Sequence, residues 1–340
     1  MPWRRFITIP GYIFAWLLWL AAAPIWLALT VVVDVLRRSN GVALRSAALV
    51  TVYLSCEIVG IAVSGALWVW RVLRQIEPER WTDLHFRLEV WWGTTLFRSV
   101  VWIFGLRVKV EGDADLGRGP YVLLLRHSST ADTLIASALV SWPYGVRLRY
   151  VLKREHLWDP CLDIVGNRVP NAFVDRSSDD VAQEVRRVQE LARDLGARDG
   201  VLIYPEGTRF SAVKRTRVLD RLELSGDARM LEYAKSLAAV LPPRPGGTLG
   251  LLDATHESDV IVCAHTGFEG TASLGDIWKG ALVNRVVRIH FRRIPRSEIP
   301  TDRESRIAWL LEEWKRVDAW VESHQSPEVP KNDPEVRARP

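Results

Sequence analysis

Cysteine is scarce in this chain: its 340 residues hold three, Cys56, Cys161 and Cys263, far apart and in no paired spacing. That excludes a disulfide framework and a cysteine-based zinc site, and it fits a reducing compartment. No group of His, Asp and Glu has ligand spacing, so no metal is expected. No nucleophile-elbow pattern surrounds Ser128, which argues against a serine acyl-enzyme. There is no internal repeat, and charge is missing altogether from Gly11 to Val33.

What is present points to a membrane. Hydrophobic residues make up 48% and charged residues 25%, enough for one sizeable core plus a membrane-associated segment. As a helix, Gly11 to Val33 would run about 34 Å and could cross a hydrocarbon core, kinked at Pro24. It is too long for a signal-peptide apolar region. A second apolar stretch, Ser46 to Trp70, contains Glu57, which is expected to face the partner helix. Ten of the 16 tryptophans lie at or before Trp102, in keeping with the preference of indole for the membrane interface. Arginines flanking the two segments favour a cytoplasmic amino terminus and a cytoplasmic remainder, although Arg37, Arg38 and Arg45 in the connection leave a shallow, non-crossing hairpin open. The net charge of +5 and pI near 9.2 suit nucleic acid or an anionic lipid surface equally. The basic residues are spread along the chain rather than gathered on one recognition element, so no nucleic acid is expected.

Val90 to Leu106 mixes aromatics with one charge, Arg98, and reads as an interfacial helix. Beyond it, short apolar runs alternate with helical stretches, the pattern of an α/β domain. The expected strands are Arg107 to Glu111, Tyr121 to Leu125, Arg149 to Leu152, Gly200 to Tyr204, Val260 to Ala264 and Val286 to Ile294. The expected helices are Asp179 to Leu195, Ala228 to Val240 and the amphipathic Asp302 to Glu322. Lys214, Arg215 and Arg217 read as a solvated loop. The expected division is 1–106 for membrane-anchoring and interfacial helices, 107–324 for an α/β domain with a mixed central sheet flanked by helices, and 325–340 for a disordered tail.

Two segments carry chemistry. In YVLLLRHSSTADTLIASALV, a strand, a turn and a helix bring His127 near Asp132. A neutral imidazole with one nitrogen held by a carboxylate and the other free is a general base. Ser129 followed by Asp132 equally resembles a helix capping box. In GVLIYPEGTRFS, a buried strand opens into Glu206, Gly207, Thr208 and Arg209. There Gly207 permits close backbone approach, Thr208 supplies a hydroxyl and Arg209 a planar fork suited to phosphate. A turn bearing a surface Glu and Arg is the plainer alternative. The remaining histidines, His265 and His290 in strands and His85 and His156 in polar surroundings, lack a partner at informative spacing.

Together the segments resemble the phospholipid and glycerol acyltransferase family, whose type members are 1-acylglycerol-3-phosphate acyltransferases. His127 and Asp132 match its first motif, His, four intervening residues, Asp. Lys153, Arg154 and Glu155 onward through Phe173, Val174, Asp175 and Arg176 match the second. Glu206, Gly207, Thr208 and Arg209, after Tyr204 and Pro205, match the third. Val240, Leu241, Pro242, Pro243 and Arg244 stand for the fourth, usually a Pro-containing apolar strand. Arg126 stands where the family often has Asn. The continuation Arg244, Pro245, Gly246, Gly247 is similar to the lysocardiolipin and lysophosphatidylinositol acyltransferase branch.

The resemblance implies transfer of a fatty acyl group from acyl-CoA or acyl carrier protein to the hydroxyl of a lysophospholipid, with no cofactor and no enzyme nucleophile. It implies His127 as base, Asp132 as its orienting partner, and Arg209, Arg176 and Lys153 around the acceptor phosphate. Glu206 anchors the loop or an acceptor hydroxyl.

Overall fold

The computed structural model describes residues 3–112, 114–175, 181–255, 257–271 and 274–325. The expected tail beyond Gln325, and Arg176, lie outside the described residues. The amino-terminal part is helical: α1 (Arg5–Ala21), α2 (Ala23–Arg37), α3 (Val42–Arg74) and α4 (Pro78–Phe104). The expected single span from Gly11 to Val33 is two helices meeting at 67°. The break falls at Ala22, and Pro24 sits in the first turn of α2, where its missing N–H costs no helical bond. Among the described residues α3 is long and apolar enough to cross a membrane, and α1 with α2 are so together as one bent span.

Indoles of α1 join it to hydroxyls of α3: Trp16 Nε1 donates to Ser55 Oγ (3.2 Å) and Trp19 Nε1 to Thr51 Oγ1 (2.8 Å). Glu57 is buried, but it faces α4 rather than the first hairpin arm. Its Oε1 accepts from Trp92 Nε1 (2.8 Å) and its Oε2 from the Cys161 backbone N–H (3.1 Å), which removes its charge from any apolar surface. Nor is α4 merely interfacial. It buries Phe97, Val100, Ile103 and Phe104 against the sheet, leaving Trp102 outward at 84% exposure.

Seven strands follow: β1 (Arg107–Glu111), β2 (Tyr121–Leu125), β3 (Arg147–Lys153), β4 (Ala172–Val174), β5 (Asp199–Ile203), β6 (Asp259–Thr266) and β7 (Val286–Ile294). They form one sheet in the order β1-β7-β6-β2-β5-β3-β4. All pairs are parallel except β6 with β7, so the sheet is mixed, as expected. The helices of this part are α5 (Asp132–Ala136), α6 (Trp142–Tyr144), α7 (Pro160–Gly166), α8 (Val181–Glu190), α9 (Ala212–Ser225), α10 (Ala228–Ser236), α11 (Pro245–Ala254), α12 (Leu274–Trp278) and α13 (Arg303–His324). Between α5 and α6 lies a π turn, Ser137–Ser141.

Every side chain of β2 and β5 is buried, as central parallel strands require. Alternation sends Leu123, Leu125 and Leu202 to the face covered by α4 and α5. Val122, Leu124, Val201 and Ile203 go to the face covered by residues of α8, α11 and α13. On α13 the expected stripe is present, with Leu310, Trp314, Val317 and Val321 all buried.

Three expectations change. The Lys214, Arg215 and Arg217 segment is helical, opening α9 with Ser211 Oγ accepting from the Lys214 backbone N–H (3.3 Å). The helix expected to reach Val240 ends at Ser236, because Asp318 of α13 accepts the backbone N–H groups of Ala238, Ala239 and Val240 and turns the chain. Val240 to Arg244 is accordingly not a strand.

Candidate active site

The carboxyl ends of β2, β5 and β6 lie side by side, at the place where an α/β sheet leaves a crevice for ligands. The residue that follows β2, Arg126, still donates its backbone N–H to Cys263 O of β6 (3.0 Å). Its fully buried guanidinium donates through Nη1 to His265 O and Glu269 Oε1 (2.5 Å each) and through Nη2 to Ala239 O (2.9 Å). This side chain is a strut between β2, the end of β6 and the 238–241 loop.

His127 comes next, 8% exposed. Its Nδ1 lies 3.3 Å from Asp132 Oδ2, and its ring packs on Tyr204 with centroids 4.3 Å apart. With Nδ1 facing a carboxylate, the proton sits there and Nε2 is the accepting nitrogen. The backbone of His127 is fixed at both ends: its N–H donates to Glu206 Oε1 (2.8 Å) and its carbonyl accepts from the Phe210 N–H (2.7 Å).

Asp132 is fully buried at the start of α5. Oδ2 accepts from the Ser128 and Ser129 backbone N–H groups (2.5 and 2.7 Å), and Oδ1 accepts from Ser129 Oγ (2.7 Å). Cap and dyad are therefore one arrangement: the carboxylate reaches back to the N–H groups ahead of its helix and offers the same oxygen to His127. Burial alone would raise the pKa of Asp132. The electrostatic interaction with His265, then the hydrogen bond and electrostatic interaction with His127 and the Ser129 N–H, outweigh it and hold the group well below the usual carboxylate range.

Glu206 is also buried, with Oε1 on the His127 N–H and Oε2 on the Leu241 N–H (2.9 Å). Burial pushes its pKa up to about 8 against those two donors. Its oxygens join the two motif loops to the 238–241 segment, which matches the loop-anchoring alternative. Gly207 has φ +70°, and a Cβ there would meet Arg244 Cδ at 3.0 Å, so the turn calls for glycine. Thr208 Oγ1 accepts from Lys214 Nζ (2.7 Å), which also donates to the Arg209 carbonyl (3.1 Å). Arg209 Nη1 donates to Thr130 Oγ1 (2.6 Å), so the guanidinium is tied to the loop that carries His127.

Lys153 ends β3, paired in register with Val174 of β4, two strands from β2. It and Arg209 both act on the half-buried His156. Burial first, then these cations against Asp159 and Glu155, lower the pKa of that imidazole. Four residues that sequence spacing did not flag thus belong to the site's framework: Arg126, His156, Lys214 and His265. Their contacts are made across strands and loops, where no local pattern announces them. His85, expected in polar surroundings, is instead fully buried, its Nδ1 on Trp81 O (2.8 Å) and its Nε2 accepting from Arg168 Nη1 (2.9 Å).

The acyltransferase family model matches residues 107–245. The chain is similar to a 1-acyl-sn-glycerol-3-phosphate acyltransferase epsilon of Mus musculus, 27% identical, over 79% of this chain and 74% of that protein. It is also similar to lysophosphatidylinositol acyltransferase 10 of Caenorhabditis elegans, 22% identical, over 75% of this chain and 65% of that one. Lysocardiolipin acyltransferase 1 of Gallus gallus is 24% identical over 72% and 64%. The chain thus spans about three quarters of the mouse protein and just under two thirds of the other two. The crystal structure of a 1-acyl-sn-glycerophosphate acyltransferase from Thermotoga maritima aligns with a TM-score of 0.44 at 11% identity, over 79% of this chain and 99% of that one. Residues 107–245 thus match the acyltransferase family model, and the chain is similar to these lysolipid acyltransferases at 22–27% identity.

Proposed function

We propose that this protein transfers a fatty acyl group from acyl-CoA, or from acyl carrier protein, to the free hydroxyl of a lysophospholipid, with 1-acyl-sn-glycerol-3-phosphate as the first acceptor to test and phosphatidic acid as its product. The observation that carries the reading is the pairing of His127 Nδ1 with the ionised Asp132, with Arg209 bound to Thr130 of the same loop. His127 Nε2 takes the proton of the acceptor hydroxyl as that oxygen attacks the thioester carbonyl. The new ester C–O bond forms, the C–S bond breaks, and the proton passes from His127 to the departing thiolate. The thioester is already activated, so no enzyme nucleophile enters. Positioned proton transfer supplies ~10² to 10⁴ in rate. Arg209 holds the acceptor phosphate with Lys153 and Arg176, so that the hydroxyl meets the imidazole.

In this reading residues 1–106 anchor the enzyme, 107–324 form the catalytic domain on the cytoplasmic face, and the remainder is a tail. The mouse, worm and chicken relatives are named for different acceptors, which makes the acceptor the quantity to measure. The detergent-extracted protein is given labelled acyl-CoA, or acyl carrier protein loaded with the same chain, and a panel of lysophosphatidate, lysophosphatidylinositol, lysocardiolipin and a lyso-aminolipid. Transfer to one acceptor identifies the substrate. No transfer to any acceptor from either donor refutes the reading and leaves a membrane-bound lipid-binding scaffold.

A further inference from the structure

His265 lies outside the residues that the family motifs cover, yet it stands on the far side of Asp132 from His127. It is fully buried in β6. Its Nε2 is 3.0 Å from Arg126 O and 3.5 Å from Asp132 Oδ1. A carbonyl only accepts, so Nε2 carries the proton. Nδ1 is buried with no hydrogen-bond partner among the described residues, and a second proton there would be left unsatisfied. The ring is therefore the neutral Nε2–H tautomer, its N–H donated to the Arg126 carbonyl and its Nε2 within 3.5 Å of Asp132 Oδ1. Asp132 is thus bracketed by two imidazoles, one on each oxygen.

We infer that His265 is a positioning residue for proton transfer at His127: its Nε2–H takes part of the Asp132 carboxylate and so limits how strongly that carboxylate stabilises the His127 imidazolium. This rests on the reading of His127 and Asp132 as base and orienting partner. A carboxylate pointing at one imidazole alone binds its protonated form tightly and fills the base with a proton near neutral pH. Drawn on by both imidazoles, it fixes the His127 tautomer while leaving Nε2 unprotonated. Asp132 and His265 are both fully buried, so a dipole at 3.5 Å acts with little screening. Among the described residues, the other ionisable groups around the trio include Tyr204 on the His127 ring, Arg126 with its partner Glu269, Glu206 on the His127 backbone, and the Cys263 thiol of β6.

The test compares H265F, H265Q and H265N with wild type and H127A, in the full-length detergent-extracted enzyme, by kcat, KM for donor and acceptor, and the pH dependence of kcat/KM. H265F removes the donor and keeps a planar ring. It is expected to lower kcat about tenfold, a part of the ~10² to 10⁴ that positioned proton transfer supplies. Both KM values stay within twofold or so, and the acidic limb of kcat/KM moves to higher pH because His127 holds its proton more tightly. The Gln amide nitrogen reaches as far as Nε2 and the Asn nitrogen only as far as Nδ1, so H265Q is expected to keep wild-type kcat and limb, and H265N to behave as H265F. A folded H265F with unchanged kcat and limb overturns the inference. Should H265F fail to fold, equal loss in H265Q and H265N, or loss in neither, overturns it as well. Activity retained in H127A would instead refute the underlying dyad, which keeps the two failures apart.

Discussion

Arg126 and His265 hold each other's backbone: the Arg126 guanidinium donates to the His265 carbonyl at 2.5 Å, and the His265 imidazole donates to the Arg126 carbonyl at 3.0 Å. This reciprocal clasp joins the end of β2 to the end of β6 immediately before His127. Arg126 also neutralises Glu269 and holds Ala239 O. Replacing it with Met leaves buried acceptors unmatched and strips Glu269 of its counter-charge. Breaking a buried pair in this way costs about 3 to 5 kcal/mol. R126M is therefore expected to unfold at a markedly lower temperature in detergent, and an unchanged melting temperature would show the strut to be dispensable.

Asp132→Asn tests the tautomer. An amide in this position can offer its N–H to Nδ1 and push the proton to Nε2, the nitrogen that must accept. The expectation is a loss of ~10² to 10⁴ in kcat with KM little changed, since only the transition state is affected. Near-normal kcat would mean that the carboxylate acts on the fold alone.

Arg209 bound to Thr130 makes a prediction about binding rather than chemistry. R209K keeps the charge and loses the fork, so the acceptor KM is expected to rise about tenfold with kcat within a few-fold of wild type. T130V, which only releases the guanidinium, should give a smaller rise in the same constant. An unchanged acceptor KM in R209K would exclude phosphate binding there.

Glu206 predicts a pH dependence of stability. Its pKa is pushed up to about 8 in the folded chain by burial, against about 4.5 when solvated. Between those values the folded state keeps a proton that the unfolded state has released. Stability from this group is thus fully present below about pH 4.5 and declines as pH rises through about 8, by up to ~1.4 kcal/mol per pH unit. E206Q cannot titrate and should flatten the fall in melting temperature across that window. An equal slope in both proteins would assign the effect elsewhere.

The parts of the fold legible in the sequence are those set by local pattern. β1, β2 and β7 run over the residues their alternation or apolar runs indicate, and α13 shows its stripe. β4 is three residues long, too short for any period to register. The helix after Ala228 stops early because a carboxylate from α13, some 80 positions away, claims its next N–H groups, which no window of local sequence contains. The Gly11 to Val33 run was legible as apolar but not as bent. At the site, His127, Asp132 and the Glu206 to Arg209 turn were visible as motifs. His265 was not, because its relation to Asp132 exists only after β6 pairs with β2.

The central claim, that His127 removes the acceptor proton, is tested most directly by the rate of labelled acyl transfer in H127A, with folding checked by melting temperature and membrane insertion by fractionation. The account predicts transfer reduced to the uncatalysed background, with melting and insertion as in wild type. Transfer that persists in a folded, inserted H127A protein would contradict it.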